Sequence, residues 1–234
     1  MSTQPVTATS GHVAPLPVPG AVVSGARVTI VGAGLALGSA AVIAMLLWRP
    51  FPERDDFSYS GMAAVRDAAW AGFVVDAVGY AVAGVTLALA VCLLTRGRGA
   101  GWANVGGVLV ALGSMLFAFA IYAFGVVGWY VTEPAALSES AGTGFMTYFG
   151  DNLEHLMGPQ IGGFLMFNVG LLLLSVALWR SASVPRWLPI AITVLTIGQF
   201  AMPNSLLDIE QALLMASFIA VAWFTFAARP RAAS

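Results

Sequence analysis

The chain has 234 residues, of which 59% are hydrophobic and only 9% are charged. A soluble domain averages about 25% charged residues, so this composition excludes an ordinary water-soluble protein and indicates that lipid is the main solvent. The net charge of −1 leaves no basic field to attract nucleic acid. The single cysteine, Cys92, excludes an intrachain disulfide. All ten basic residues are arginine, which favours a bacterial source with a GC-rich coding sequence.

The first 26 residues contain no Asp, Glu, Lys or Arg and are rich in Pro, Ser, Thr, Gly and Val. This composition predicts a disordered tail. A signal peptide is the alternative, because Arg27 precedes an apolar run. That run continues to Trp48, however, whereas the apolar core of a signal peptide is only about 7–15 residues long. The run is therefore predicted to be the first transmembrane helix.

Six apolar runs follow one another along the chain and predict six transmembrane helices. They cover about 28–48, 69–95, 102–131, 159–179, 187–202 and 205–228. None shows the alternation expected of barrel strands, and helices satisfy their own backbone groups in hydrocarbon. The fold class is therefore predicted to be all-α: a polytopic helix bundle over 27–231, preceded by the tail. The fifth run is the weakest, since it is short and lies between Pro189 and Pro203.

The distribution of arginine predicts the orientation of the bundle. An even number of spans places both termini on one side of the membrane. Seven arginines fall on that side and three on the other, namely Arg27, Arg96, Arg98, Arg180, Arg186, Arg229 and Arg231 against Arg49, Arg54 and Arg66. Positive residues accumulate in cytoplasmic loops. We therefore expect a multi-pass protein of the cell membrane with both termini in the cytoplasm.

The connector before the fourth span has two distinct faces. At helical spacing its apolar residues share one face and its charged residues the other, with Phe145, Phe149, Leu153 and Leu156 opposite Asp151, Glu154 and His155. This pattern predicts an amphipathic helix over 145–157 that lies on the outer membrane surface. Gly158 and Pro159 are then expected to turn the chain into the fourth span, since proline is tolerated at a first helical position.

Small residues recur at helical spacing within the spans. The segment 31–38 imitates a dinucleotide-binding glycine motif, but that motif requires a preceding strand and a βαβ unit. Within an apolar run the glycines instead predict close helix packing. Three such pairs occur: Gly34 with Gly38, Gly79 with Ala83, and Gly158 with Gly162.

Acidic residues are predicted to gather in or near the outer leaflet, where the second, fourth and sixth spans begin. The candidate polar site comprises Asp76, Asp151, Glu154, His155, Asp208 and Glu210. Such groups can bind a proton, a cation or a divalent metal. The alternative is that they complement helix N-termini. Asp76 is harder to explain in that way, because it lies about two turns inside its span. Pairing with an Asn or Gln of another helix, or interfacial exposure, would also account for it.

The sequence assigns no catalytic residue and no cofactor. There are two histidines, one of them His12 in the tail, so a bis-histidine haem lacks ligands. There is no nucleophile elbow or zinc-protease motif, and without lysine there is no P-loop. Three functions remain open: a non-enzymatic accessory, scaffold or envelope-associated component, a small transporter or channel for a proton, cation or small solute, and a membrane enzyme acting on lipid. Expected partners are the bilayer and other membrane proteins or a second copy.

Each function predicts a different structural feature. A water-filled cavity that reaches Asp76 would favour the transporter. A lipid-facing groove that leads to His155 and Glu154 would favour the enzyme.

The turn between the fourth and fifth spans has a distinctive sequence, Leu-Trp-Arg-Ser-Ala-Ser-Val-Pro-Arg-Trp-Leu over 178–188. It resembles a recurring feature of small six-span bacterial membrane proteins, in which an aromatic residue and Arg-Ser end one span and Pro-Arg-Trp-Leu opens the next. The resemblance implies the six-span fold and carries no activity.

Overall fold

The computed structural model describes residues 25–51, 58–95 and 97–228. The predicted tail lies outside this part of the chain, apart from the residues from Gly25 onward, which already belong to the first helix. The described residues form seven α-helices: α1 Gly25–Trp48, α2 Tyr59–Leu94, α3 Ala100–Val131, α4 Glu139–Asp151, α5 Glu154–Ser181, α6 Trp187–Gly198 and α7 Asn204–Ala227. A single 3-10 turn, Gly97–Gly99, precedes α3. The all-α fold class is confirmed.

Five helices are long and apolar enough to cross a membrane: α1, α2, α5, and the segments Gly97–Val131 and Leu206–Ala227. Large apolar side chains cover their outward faces, among them Phe119, Leu213 and Trp223 at 60%, 54% and 70% exposure. A soluble monomer rarely exposes so extensive an apolar surface to water, whereas such a surface is stable in contact with lipid. The chain is therefore an integral membrane protein.

The six helices other than α4 form a closed ring, in which each contacts the next in the order α1, α2, α3, α5, α6, α7 and back to α1. Across the ring, α2 also contacts α5 and α7. Large apolar side chains fill the centre, including the fully buried Leu35, Leu87 and Phe218. The shorter α4 packs against α2 and α3.

The helices alternate in direction, which gives the bundle two ends. At the end named here the acidic end, α1 and α3 finish and α2, α5 and α7 begin. At the opposite end, named the arginine end, α1 begins next to the end of α7, since Gly32 lies against the Phe226 ring. The turn before α3 lies against the end of α5 there, with Gly99 next to the Ala177 carbonyl.

Helix α6 is shorter than predicted, with 12 residues that cover about 18 Å of the roughly 30 Å hydrocarbon thickness. It ends at Gly198, four residues before the predicted end of the fifth span. Because α5 ends at the arginine end and α7 begins at the acidic end, the chain must cross the bundle through α6 and the turn after it. The fold therefore agrees with the prediction of about six transmembrane spans.

The connector differs from the prediction over 145–157. Ser138 caps α4 by accepting a hydrogen bond from the Ala141 amide, so the helix begins six residues earlier than the apolar pattern indicated. It ends at Asp151, and residues from Glu154 onward already belong to α5. Pro159 lies inside α5 rather than at its start. The location of α4 on a membrane surface stays a prediction.

Two of the predicted small-residue pairs make contacts. A Cβ on Gly38 would lie 2.7 Å from the Ala83 nitrogen and 3.0 Å from the Gly79 carbonyl oxygen, so α1 and α2 touch through their backbones. The prediction for Gly158 and Gly162 is wrong, because neither has any atom within 4 Å of an added Cβ. The close contact of α5 with α3 instead uses two glycines on each helix, spaced seven residues apart: Gly106 and Gly113 on α3, Gly163 and Gly170 on α5.

Candidate functional site

Three of the six predicted site residues lie on two neighbouring helices of the bundle. Asp76 is on α2, and Asp208 and Glu210 are on α7, which contacts α2 directly. Tyr80, one turn after Asp76, is within electrostatic range of all three carboxyl groups. The three carboxyl groups, those of Asp76, Asp208 and Glu210, are called here the carboxylate cluster. Sequence reasoning missed Tyr80, although its spacing of four from Asp76 places both on one helix face.

Glu210 is the most deeply buried member of the carboxylate cluster. Its exposure is 1%, and neither carboxylate oxygen has a hydrogen bond of normal geometry to any described residue. The side-chain amide of Gln199, just after α6, acts on this carboxylate as a hydrogen-bonding group. A carboxylate in this setting is costly when charged, because protein and lipid replace water around it.

Asp76 lies in the middle of the 36-residue helix α2. Its neighbours Val75 and Val78 face outward, whereas Asp76 itself is half-buried. The Oδ1 oxygen is buried and has no hydrogen-bond partner among the described residues. The expected pairing of this oxygen with an Asn or Gln of a neighbouring helix is therefore not seen.

An ion pair closes the carboxylate cluster at the acidic end. Arg49, in the left-handed conformation with φ 50° just after α1, donates from Nη2 to Asp208 Oδ2 on α7. The Arg49 side chain is 68% exposed and that of Asp208 is 16% exposed. The pair joins the end of α1 to the start of α7. Glu210 follows Asp208 by two residues along α7 and so lies further from the acidic end. The predicted topology already placed both residues on one side of the membrane.

The other three predicted residues form a separate, exposed group where α4 meets α5. His155 Nδ1 is 3.6 Å from Glu154 Oε1, and the two side chains are 86% and 67% exposed. Asp151 is also exposed. Over the described ranges, no group of three or more His, Cys, Asp or Glu side chains could hold a metal ion.

A third polar group joins α2 to α3 at the acidic end, through contacts that the sequence did not predict. Arg66 Nη1 lies 2.8 Å from Glu133 Oε2, and the Trp129 indole donates to Asp67 Oδ1 at 3.0 Å. Arg66 also lies over the Trp129 ring at 5.5 Å. Asp67 is outside the apolar part of α2, and hydrogen bonds from Trp129 and Arg66 lower its pKa. Ser58, which caps α2, was the available signal that residues 59–68 are helical.

A groove of about 280 Å³ lies between α5 and α6, in their halves nearer the arginine end. It is lined by Ser175, Val176, Trp179, Pro189, Ile190, Thr193 and Val194. None of the six predicted site residues is part of this lining. The groove therefore supplies neither the cavity expected at Asp76 nor the path expected at His155.

The chain matches no protein-family model, no curated protein and no solved structure. The resemblance to small six-span bacterial membrane proteins therefore stays a prediction. Fold and site together define a multi-pass helical membrane protein that carries carboxyl groups inside its bundle.

Proposed function

We propose that this protein binds a proton or a small cation at the carboxylate cluster and acts as a small transporter or channel. One observation carries the proposal: Glu210 is 1% exposed, and both of its carboxylate oxygens lack a hydrogen bond of normal geometry to the described residues. Buried polar groups are normally paired. A buried carboxyl group without such a hydrogen bond is costly to retain inside a membrane protein, and an ionisable group in that position is typical of a functional site.

The chemistry follows from the surroundings of Glu210. A charged carboxylate without a partner costs several kcal/mol in a water-free interior. With the Gln199 amide as the one polar group shown to act on it among the described residues, we expect Glu210 to hold a proton or a small cation. Asp76 has a buried oxygen in the same condition, and Tyr80 experiences the charge of both acids.

The Arg49–Asp208 pair supplies a connection between the carboxylate cluster and water. Arg49 is mostly exposed, whereas its partner Asp208 reaches into the cluster. Elsewhere in the bundle, other buried side-chain oxygens have no partner in the described part of the chain: Ser39 Oγ, Gln160 Oε1, Asn168 Oδ1 and Thr196 Oγ1. Buried water molecules typically hydrogen-bond to groups of this kind. Such water would extend the connection between the carboxylate cluster and the solvent.

Flux in proteoliposomes tests this proposal. Purified protein would be reconstituted with a pH-sensitive dye inside the vesicles, and proton, sodium and potassium gradients would be imposed in turn. Glu210→Gln is expected to reduce the flux at least tenfold, because the amide cannot exchange a proton or neutralise a cation. Glu154→Gln is the matched control, since it makes the same chemical change at an exposed position, and it should leave the flux unchanged. Wild-type flux equal to that of empty vesicles would refute the proposal.

A non-enzymatic accessory or scaffold protein is the second candidate. The backbone contacts of α1 with α2 and of α3 with α5 favour it, because glycine-mediated contacts make a rigid bundle. Purification from native membrane in mild detergent would then recover a stoichiometric membrane-protein partner, or a homo-oligomer, with Glu210→Gln having no effect. Activity on lipid at Glu154 and His155 stays a prediction.

A further inference from the structure

The two ends of the bundle differ in charge. Every acidic side chain that the structure describes lies near the acidic end, apart from Asp76 in the middle of α2. The described side chains at the arginine end include Arg27, Arg98, Arg180 and Arg186, without an acidic residue among them. No ion pair to a described residue involves Arg180 or Arg186. Within the described part of the chain, these two guanidinium groups thus have no carboxylate paired with them.

The groove between α5 and α6 opens sideways from the bundle at this end. Ile190 and Val194 on its wall are 49% and 62% exposed. Its two hydroxyl groups are satisfied within their own helices, Ser175 by the Leu171 carbonyl at 2.9 Å and Thr193 by the Pro189 carbonyl at 2.8 Å. The surface offered to an occupant is thus apolar and faces the side on which lipid chains lie.

Two arginines flank the turn that joins the two helices of this groove, and one of them contacts its lining. Trp179 lines the groove, and the Arg186 guanidinium lies 5.3 Å from the centre of its ring. Arg180 follows Trp179 in the last turn of α5. The two helices are joined by a tight turn in which Ala182 adopts φ 50°. Arg180 and Arg186 therefore flank this turn, six residues apart in the chain.

We propose that the groove binds an anionic phospholipid, with one acyl chain along α5 and α6 and the phosphate group between Arg180 and Arg186. Arginine presents a planar fork of donors that matches a phosphate group. Basic groups between helices at the cytoplasmic side are known sites for anionic headgroups, and the arginine split predicts that this end is cytoplasmic. The proposal does not depend on the transport function, because no member of the carboxylate cluster takes part.

Lipid binding to the purified protein tests the headgroup. Detergent-solubilised protein would be titrated with phosphatidylglycerol and, separately, with phosphatidylcholine carrying the same acyl chains, and bound lipid counted by native mass spectrometry. Phosphatidylglycerol is expected to bind preferentially. Arg186→Gln should weaken it about fivefold, as expected for the loss of one arginine at an anionic headgroup. The matched control is Arg27→Gln on α1, which does not contact α5 or α6, and it should have little effect.

A second pair of variants tests the acyl chain. Val194→Trp fills the groove and should abolish preferential binding, whereas Val105→Trp, at a similarly exposed position on α3, should not. Arg180→Gln repeats the charge test if Arg186→Gln fails to fold, as judged by gel filtration. Three outcomes would overturn the proposal. They are equal weakening by Arg27→Gln and Arg186→Gln, equal binding of the two lipids, and undiminished binding to Val194→Trp. A dimer that buries the groove would do so as well.

Discussion

The substitution Gly163→Ala tests the contact between α3 and α5, which with that between α2 and α3 is the most extensive in the bundle. A Cβ at Gly163 would lie 2.7 Å from the Phe117 nitrogen and 2.9 Å from the Gly113 carbonyl oxygen. Ordinary van der Waals contact begins at 3.4 Å. The helices would therefore have to separate by about 0.7 Å, the difference between 3.4 and 2.7 Å.

That separation acts along the whole interface, because two of the three nearest neighbours of the new methyl group belong to the α3 backbone and cannot turn aside. Forcing extra carbon into a packed interior costs about 1–3 kcal/mol. A gap of roughly 0.5–1 Å forfeits a quarter to a half of the dispersion attraction of the atoms that line it. We expect the free energy of unfolding to fall by about 2–3 kcal/mol.

The adjacent residue provides the control. Gly162 is on the same helix turn, but an added Cβ has no heavy atom within 4 Å. Gly162→Ala should be neutral or should stabilise the protein by up to about 1 kcal/mol, since alanine is the better helix former. Both variants would be unfolded in mixed micelles with increasing SDS and followed by tryptophan fluorescence. An equal loss of stability in the two variants, or none in Gly163→Ala, would refute the packing argument.

Three further predictions concern orientation and charge. In a cysteine-free background, Ser138→Cys should react with an impermeant thiol reagent on intact cells and Ser183→Cys should not; the reverse would place the termini outside. Asp76→Leu should not lower the free energy of unfolding, because the Asp76 Oδ1 oxygen has no hydrogen-bond partner among the described residues to lose. A loss of stability above about 1 kcal/mol would show that Asp76 does have a hydrogen-bond partner. Because hydrogen bonds from Trp129 and Arg66 lower the pKa of Asp67, its contribution to stability is complete above the unfolded pKa near 4 and is lost as the pH falls through the folded value. The difference in stability between wild type and Asp67→Asn should therefore shrink below about pH 4, and a difference that persists would contradict this.

Composition and local pattern determined the all-α class, the approximate spans and the charge asymmetry. Hydrocarbon forces each crossing segment to satisfy its own backbone, so a long apolar run has one regular solution whatever its neighbours are. The helix beginning at Val28 or just before it, and the one ending near Val131, were predictable for this reason. The start of α4 was not, because a capping hydroxyl at Ser138 outweighed the later amphipathic pattern.

Only the tertiary structure decided which side chains meet. Gly162 and Gly163 are the same residue type in the same helix, and a rotation of about 100° separates the one that touches α3 from the one that touches nothing. The same applies to the candidate site: Glu210 joins Asp76 because α7 closes the ring against α1 and α2, whereas Asp151, Glu154 and His155 stay exposed beyond it. Spacing along one helix determines which residues share its face, but the partner of that face depends on how all the helices pack.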